Sequence, residues 1–376
     1  MIRLLPINAL KISHTSIRLR RFLNGGLLPA ACFLTFNRTQ GASLQNTSQV
    51  PHEQIQSIIL GYWQARSLAL ATSLGIADHL AAGPMAVNEL ASRTETNASA
   101  LFRLLRALES IGIFSQSSPQ VFVNTPTSDC LRRNIPGAQW PTVLHNLGRG
   151  YGPVEGWDEL EYSVRTGKRS IDKTYGYDFW ELCRRNPQAN AAVNGTMRSL
   201  SEAMTPVITA AYDWSRFPII EDVGGGIGTQ IVSILEANPS CSGVLFDQAH
   251  VVAEAIVHDR LRTVGGSFFE SVPGGTDATL MRWILHDWSD AEATAILKTV
   301  HRSMKPTARL ILVEFVLSDG SGFDFGKWTD LQMLVMFGGL ERTKEEYRAL
   351  LLAAGFELEE EISTSAPVNL LVAKPV

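Results

Sequence analysis

Glu221-Asp222-Val223-Gly224-Gly225-Gly226-Ile227-Gly228-Thr229 decides the fold of this 376-residue chain. An apolar run, Phe217 to Ile220, leads into it and reads as a buried strand. Gly224, Gly226 and Gly228 remove side chains where a chain leaving a strand must turn tightly, so backbone can approach a nucleoside-bearing ligand. Nineteen residues beyond Gly228 a second short apolar run, Val244 to Phe246, ends on Asp247, whose carboxylate suits the hydroxyls of a ribose. Working outward, the strands read as Ile219–Val223, Gly243–Phe246, Ala278–Arg282, Arg309–Val316 and Val368–Ala373. The helices between them read as Gln230–Asn238, Val251–Val257, Asp290–Met304 and Lys344–Ala354. Strands alternating with helices predict an α/β domain with a mostly parallel, Rossmann-like twisted sheet.

The glycine spacing bears on the ligand. A nicotinamide-binding turn asks for G-x-G-x-x-G, whereas this turn is G-x-G-x-G with Thr229 where a third dinucleotide glycine would stand. Asp222 places an anion beside the loop, which repels a pyrophosphate and tolerates a cationic sulfonium. Both features favour S-adenosylmethionine over a nicotinamide dinucleotide. A second group of residues bears on the chemistry. His286 follows a predicted strand, on the carboxyl edge where open α/β sheets bind ligands. Glu314 breaks an apolar strand, and Glu341 sits in a glycine-rich loop before a helix. A neutral phenol, with a pKa of about 10, is a poor nucleophile, and a histidine with a pKa of about 6.5 can take its proton at neutral pH. A carboxylate on the second ring nitrogen would fix the tautomer. His286-Asp287 also admits half of a metal site, but no further ligand cluster accompanies it, so no metal is expected.

Composition sets the bounds. The chain is 45% hydrophobic and 19% charged with a net charge of −4, which favours a soluble protein over a polyanion binder. Four scattered cysteines show no CxxC spacing, which argues against a disulfide framework or structural zinc and for a reducing compartment. Residues 52–134 read as three helices and a small β-wing, a winged-helix unit. Within it Met85–Ala91 starts a helix, Asn97 caps the next, and Leu101, Leu104, Leu105 and Leu108 form an apolar stripe. Residues 135–215 read as a helical, aromatic-rich connector, and residues 216–376 as the cofactor-binding domain. No Asp or Glu precedes Glu53, while six arginines and lysines do, so residues 1–51 resemble either an unstructured extension or an organelle transit peptide. The apolar run from Leu27 to Phe36 is too short for a membrane span, and the cytoplasm is the expected location.

Taken together, five stretches resemble the S-adenosylmethionine-dependent O-methyltransferases that include plant caffeic acid and bacterial small-molecule enzymes. They are Leu101 to Leu108, Asp222 to Gly228, Phe246-Asp247, Leu285 to Asp290 and Gly338 to Thr343. The resemblance, over residues 52–376, implies a homodimer formed through the N-terminal domain and a small hydroxylated acceptor. It implies His286 as general base, steered by Glu314 and Glu341. The cofactor set is Gly224, Gly226, Gly228, Asp247, Ser267, Phe268, Arg282 and Ser201; Val193, Met197, Met333 and Trp288 face the acceptor. The chain departs from the family pattern at Ser267, where an aspartate is usual, at Arg282 in place of lysine, and at Val193 in place of phenylalanine. Three other readings stay open: a winged-helix DNA reader, a nicotinamide oxidoreductase, and a relative with altered chemistry. The would-be recognition helix offers Arg103 and Arg106 but also Glu109, too weak a basic face for the first.

Overall fold

The computed structural model describes residues 51–376; the transit-peptide reading falls outside the described residues. The first described helix, Pro51–Ser73, turns much of its apolar surface outward: Ile58 is 70% exposed, Trp63 62% and Leu70 51%. Its helical apolar spacing therefore does not mark a core stripe within this chain. The helix Ala98–Glu109 behaves as its sequence predicts. The Asn97 side chain accepts from Ala100 N at 3.0 Å, satisfying one orphan donor of the first turn. Leu101, Leu105 and Leu108 pack with Ile76, Leu90, Phe114 and Phe122.

The wing is larger than the sequence predicts. Met85–Ala86 (β1) pairs with Val121–Asn124 (β3), which pairs with Phe114–Ser118 (β2), all antiparallel. Met85 thus lies opposite Phe122 in a sheet, and the helix expected from Met85 begins at Val87. Two residues carry too little pattern to separate a strand from a helix start.

Six helices between Trp140 and Ala211 lead into the α/β domain, the last being Pro187–Ala211. The main sheet contains Ile219–Val223 (β4), Ser242–Asp247 (β5), Leu261–Gly265 (β6), Ala278–Arg282 (β7), Arg309–Glu314 (β8), Phe356–Ser363 (β11) and Asn369–Pro375 (β12). Its order is β11-β12-β8-β7-β4-β5-β6. The strands from β8 to β6 are parallel, and β12 runs antiparallel between β8 and β11. A small parallel pair, Val316–Leu317 (β9) with Arg342–Thr343 (β10), lies apart from this sheet. The sheet order reverses at β4, so the crevice for a ligand opens at the carboxyl ends of β4 and its neighbours.

Apolar residues on alternate positions of the strands feed two cores, one on each face. Leu280, Ile311 and Val313 pack with Ile231, Ile234 and Met204 on one face. Met281, Leu310 and Leu312 pack with Ile296, Leu297, Tyr347 and Leu351 on the other. Three readings are corrected. β6 and β11 were not expected, because Arg262 and Thr263 on one strand and four glutamates on the other mask the apolar pattern of edge strands. The helix expected over Val251–Val257 is one turn, Ala249–Val252. The strand expected to run through to Val316 ends its main-sheet pairing at Glu314. Among the described residues no helix is long and apolar enough to cross a membrane.

Candidate active site

The glycine turn after β4 is built as its composition requires. Gly224, Gly226 and Gly228 have φ of 73°, 61° and 90°, a region that side chains rarely adopt. At Gly224 a Cβ would overlap the Ile284 side chain, whereas at Gly226 it would project into open space. Asp247, at the end of β5, accepts from Gly226 N at 2.8 Å through one oxygen and from Gln248 N at 2.6 Å through the other. The ribose candidate and the glycine turn are thus held together before any ligand arrives. Asp222 lies against the glycine turn, as the charge argument supposes, but it is shielded from solvent. It is 1% exposed, a Cβ on Gly225 would strike its carboxylate, and neither oxygen has a well-formed hydrogen bond. Burial pushes its pKa up to about 7, against the pull of Arg282, which weakens the charge it presents to the loop near neutral pH.

Ser267 and Phe268 follow β6, whose Gly265 lies opposite Asp247, so they reach the same edge of the sheet. The Ser267 hydroxyl meets only Phe269 N, at 3.4 Å, among the described groups. Phe268 packs edge-on to Trp288 at 5.9 Å, and Phe269 does so at 4.8 Å. Trp288, expected on the acceptor side, thus packs against the segment that carries Ser267 and Phe268. Arg282, at the end of β7, uses its side chain. One guanidinium nitrogen donates to Thr205 Oγ1 at 3.0 Å, Gln230 Oε1 at 3.1 Å and Ser201 Oγ at 3.4 Å. Burial lowers its pKa to about 10, partly offset by Asp222, so it remains a cation. These contacts bring Ser201, on the helix Pro187–Ala211, to the end of the first crevice strands.

His286 occupies the short turn Leu285–Asp287 that follows β7. Its Nδ1 lies 2.9 Å from Glu341 Oε1, and its Nε2 is 3.6 Å from Asp287 Oδ1. Glu341 reaches this position because β10 pairs with β9, setting Arg342 opposite Val316 and hence Glu341 close to the end of β8. Asp330 Oδ1 accepts from the Glu341 backbone N at 2.9 Å. Glu314 behaves differently from Glu341. Its Oε1 accepts from Ile284 N at 3.2 Å and Leu285 N at 3.0 Å, so it secures the backbone entering the histidine turn and makes no hydrogen bond to the ring. The residue before this pair, Trp283, has φ of 54°, an uncommon value for a bulky side chain and a mark of local strain.

Electrostatics couple the three groups. Burial pulls the His286 pKa down, but the Glu341 hydrogen bond and the charges of Glu314, Glu341 and Asp287 outweigh it and lift the value to about 9. Burial raises Glu314 to about 7 and also raises Glu341, each opposed by His286. The resting imidazole is thus more basic than the ordinary histidine that the sequence suggested. His286, Glu314 and Glu341 are also the only described trio whose ligand atoms could share a metal ion, within 4.8 Å of one another. The 2.9 Å hydrogen bond already engages one atom each of His286 and Glu341.

Of the residues expected to face the acceptor, Val193 is buried among Phe179, Leu182, Val335 and Met336. Met333 is buried on the helix Phe325–Met336, while Met197 is 48% exposed one turn beyond Val193. Sequence reasoning missed Asp330 and the side-chain roles of Thr205 and Gln230. Their partners come from other elements, and no local spacing announces them. Arg342 lay within a quoted stretch but was given no role.

Residues 157–357 match the O-methyltransferase domain family and residues 56–134 the O-methyltransferase dimerisation domain. The chain is 36% identical over 326 residues to the phenazine O-methyltransferase PhzM of Lysobacter antibioticus, covering 85% of this chain and 95% of that protein. It is 32% identical to the O-demethylpuromycin-O-methyltransferase of Streptomyces alboniger, covering 86% and 89%. Among solved structures, NcsB1, an O-methyltransferase from neocarzinostatin biosynthesis in complex with S-adenosylmethionine and 2-hydroxy-5-methyl naphthoic acid, superposes with a TM-score of 0.70 at 30% identity, over 83% of this chain and 96% of that one. The open face of Gly226 and the Asp247 carboxylate beside it fit an adenosyl group. This chain belongs to the S-adenosylmethionine-dependent O-methyltransferases of the secondary-metabolite type, with S-adenosylmethionine as its methyl donor.

Proposed function

We propose that the enzyme methylates a phenolic or enolic hydroxyl on a small, flat, partly apolar metabolite, with His286 as general base. The observation that carries this reading is the buried His286 Nδ1–Glu341 Oε1 bond, which leaves Nε2, approached by Asp287 Oδ1 only at 3.6 Å, as the ring nitrogen for an incoming hydroxyl. Glu341 holds the proton on Nδ1, so the lone pair resides on Nε2. Glu314 steadies the Ile284–Leu285 backbone and adds negative charge that favours the imidazolium once the hydroxyl proton has moved. Bound S-adenosylmethionine supplies an electrophilic methyl on a positively charged sulfur. With His286 at about 9 and a phenol near 10, the proton moves between groups of similar affinity. At pH 7 only roughly one molecule in a hundred carries the free base, so activity rises toward alkaline pH.

The acceptor class is supported by the apolar residues Val193 and Met333, and by relatives named for phenazine and naphthoate substrates. Residues 52–134 act as the dimerising unit, 135–215 as the connector that shapes the acceptor site, and 216–376 as the methyltransferase domain. Homodimer formation is supported by the match to the dimerisation domain and by the outward apolar face of Pro51–Ser73. A cytoplasmic location keeps the enzyme with its methyl donor. The test is His286→Ala assayed against a panel of hydroxylated aromatics, with product read by mass. Turnover is expected to fall by about 10² to 10⁴ while S-adenosylmethionine affinity by calorimetry is unchanged. Unchanged turnover would remove His286 from the mechanism.

A further inference from the structure

We propose that Arg342 is a positioning residue: it clamps the turn carrying His286 to the loop carrying Glu341, and so sets the hydrogen bond between them. This rests on the reading of His286 as the base. The two residues lie 55 positions apart, His286 on the short 3-10 turn after β7 and Glu341 just before β10, and the main sheet does not span them. Arg342 spans the gap. Its guanidinium is buried, with the residue only 1% exposed. Nη1 donates to Leu285 O at 2.9 Å and to Leu340 O at 3.4 Å, and Nη2 donates to Trp288 O at 2.9 Å. Nε donates to Asp290 Oδ1 at 2.9 Å, which balances the charge. The carbonyls of Leu285 and Trp288 bracket His286, and that of Leu340 adjoins Glu341.

Backbone contacts close the same seam. Leu340 N donates to His286 O at 2.9 Å. A Cβ on Gly339 would collide with that same carbonyl, so the two segments meet with no room for a side chain. Only a planar fork with donors along several directions can reach carbonyls on both sides at once, which lysine's single ammonium cannot do. A purely structural role would be met by any arrangement that fills the space. The observed one ties Leu285 and Trp288, which flank the His286-Asp287 pair.

The test compares Arg342→Gln and Arg342→Lys with the unaltered full-length protein. The readouts are turnover, S-adenosylmethionine affinity by calorimetry, thermal midpoint, and the ring resonances of His286 in protein carrying ¹⁵N-histidine, assigned by their loss in His286→Ala. The charged groups facing that ring are Glu341, Glu314 and Asp287, and none is altered. Arg342→Gln is expected to lower turnover by about 10- to 100-fold with cofactor affinity held within about threefold. The low-field Nδ1 proton signal should weaken, and the ring should titrate at lower pH; Arg342→Lys should fall between. Unchanged turnover with unchanged ring signals overturns the proposal, as does a loss of turnover with the ring signals intact. If Arg342→Gln does not fold, Gly339→Ala opens the same seam without removing a charge, and wild-type ring signals in that variant overturn the proposal equally. The ring signals report the clamp even if His286→Ala keeps full turnover, so failure of the base reading stays distinguishable from failure of this one.

Discussion

Replacing Glu341 with glutamine tests the electrostatics of the site most directly. The substitution keeps an oxygen that can accept from His286 Nδ1 at the observed 2.9 Å but removes the negative charge. His286 is raised from 6.5 to about 9, although its burial alone would lower it. At about 1.4 kcal/mol per tenfold change, that rise corresponds to about 3 kcal/mol of preference for the imidazolium, and Glu341 is the largest contributor in that direction. Without the carboxylate, the remaining charges of Glu314 and Asp287 must oppose burial alone, so the ring should lose its proton at a pH lower by about one to two. The sign follows. In the wild type, kcat/KM should climb from pH 6 and level off near 9, because the base form gathers only as pH passes the raised pKa. In Glu341→Gln the plateau should begin nearer neutrality and stand about 10² to 10³ lower, since a weaker base with a less firmly held ring removes the proton less well. The assay is kcat/KM from pH 6 to 10 in buffers of constant ionic strength, with cofactor affinity measured alongside. A rise at the same pH in both proteins would refute this account of the raised basicity.

Two further changes address the cofactor. Asp247→Ala removes the acceptor for Gly226 N along with the ribose candidate, and should weaken S-adenosylmethionine binding roughly 10- to 100-fold by calorimetry; an unchanged affinity would reject the assignment. Ser267→Asp adds a carboxylate where the hydroxyl has a single long contact, and should tighten cofactor binding by about three- to tenfold; equal or weaker binding would show that the serine costs nothing.

The cofactor half of this protein was legible because its signals are local. A glycine turn, an apolar strand and a terminal aspartate lie within 27 consecutive residues, from Glu221 to Asp247, and the structure joins them through one hydrogen bond. The histidine and its two carboxylates were readable as candidates because a charged group in or beside an apolar strand demands an explanation. Their division of labour was not readable. Glu341 meets the ring while Glu314 meets the backbone ahead of it, a distinction set by the pairing of β9 with β10, two residues each. The packing of Trp288 against Phe268 and Phe269 was not readable either, because adjacency to His286 in sequence says little about which rings a side chain will meet. The exposed face of Pro51–Ser73 shows a different limit: periodicity reports that a helix has an apolar side, not what covers it.

Glu341 hangs from the helix Phe325–Met336 by its backbone contact to Asp330, and Met333 lies on that same helix. On the proposed mechanism, changes made to this helix to reshape substrate selectivity should also disturb the basicity of His286. Val193 belongs to another helix but packs with Val335 and Met336 of this one, so changes there reach the same linkage through side-chain packing. Retooling this scaffold toward a bulkier acceptor, at either helix, therefore calls for the pH profile to be followed alongside selectivity.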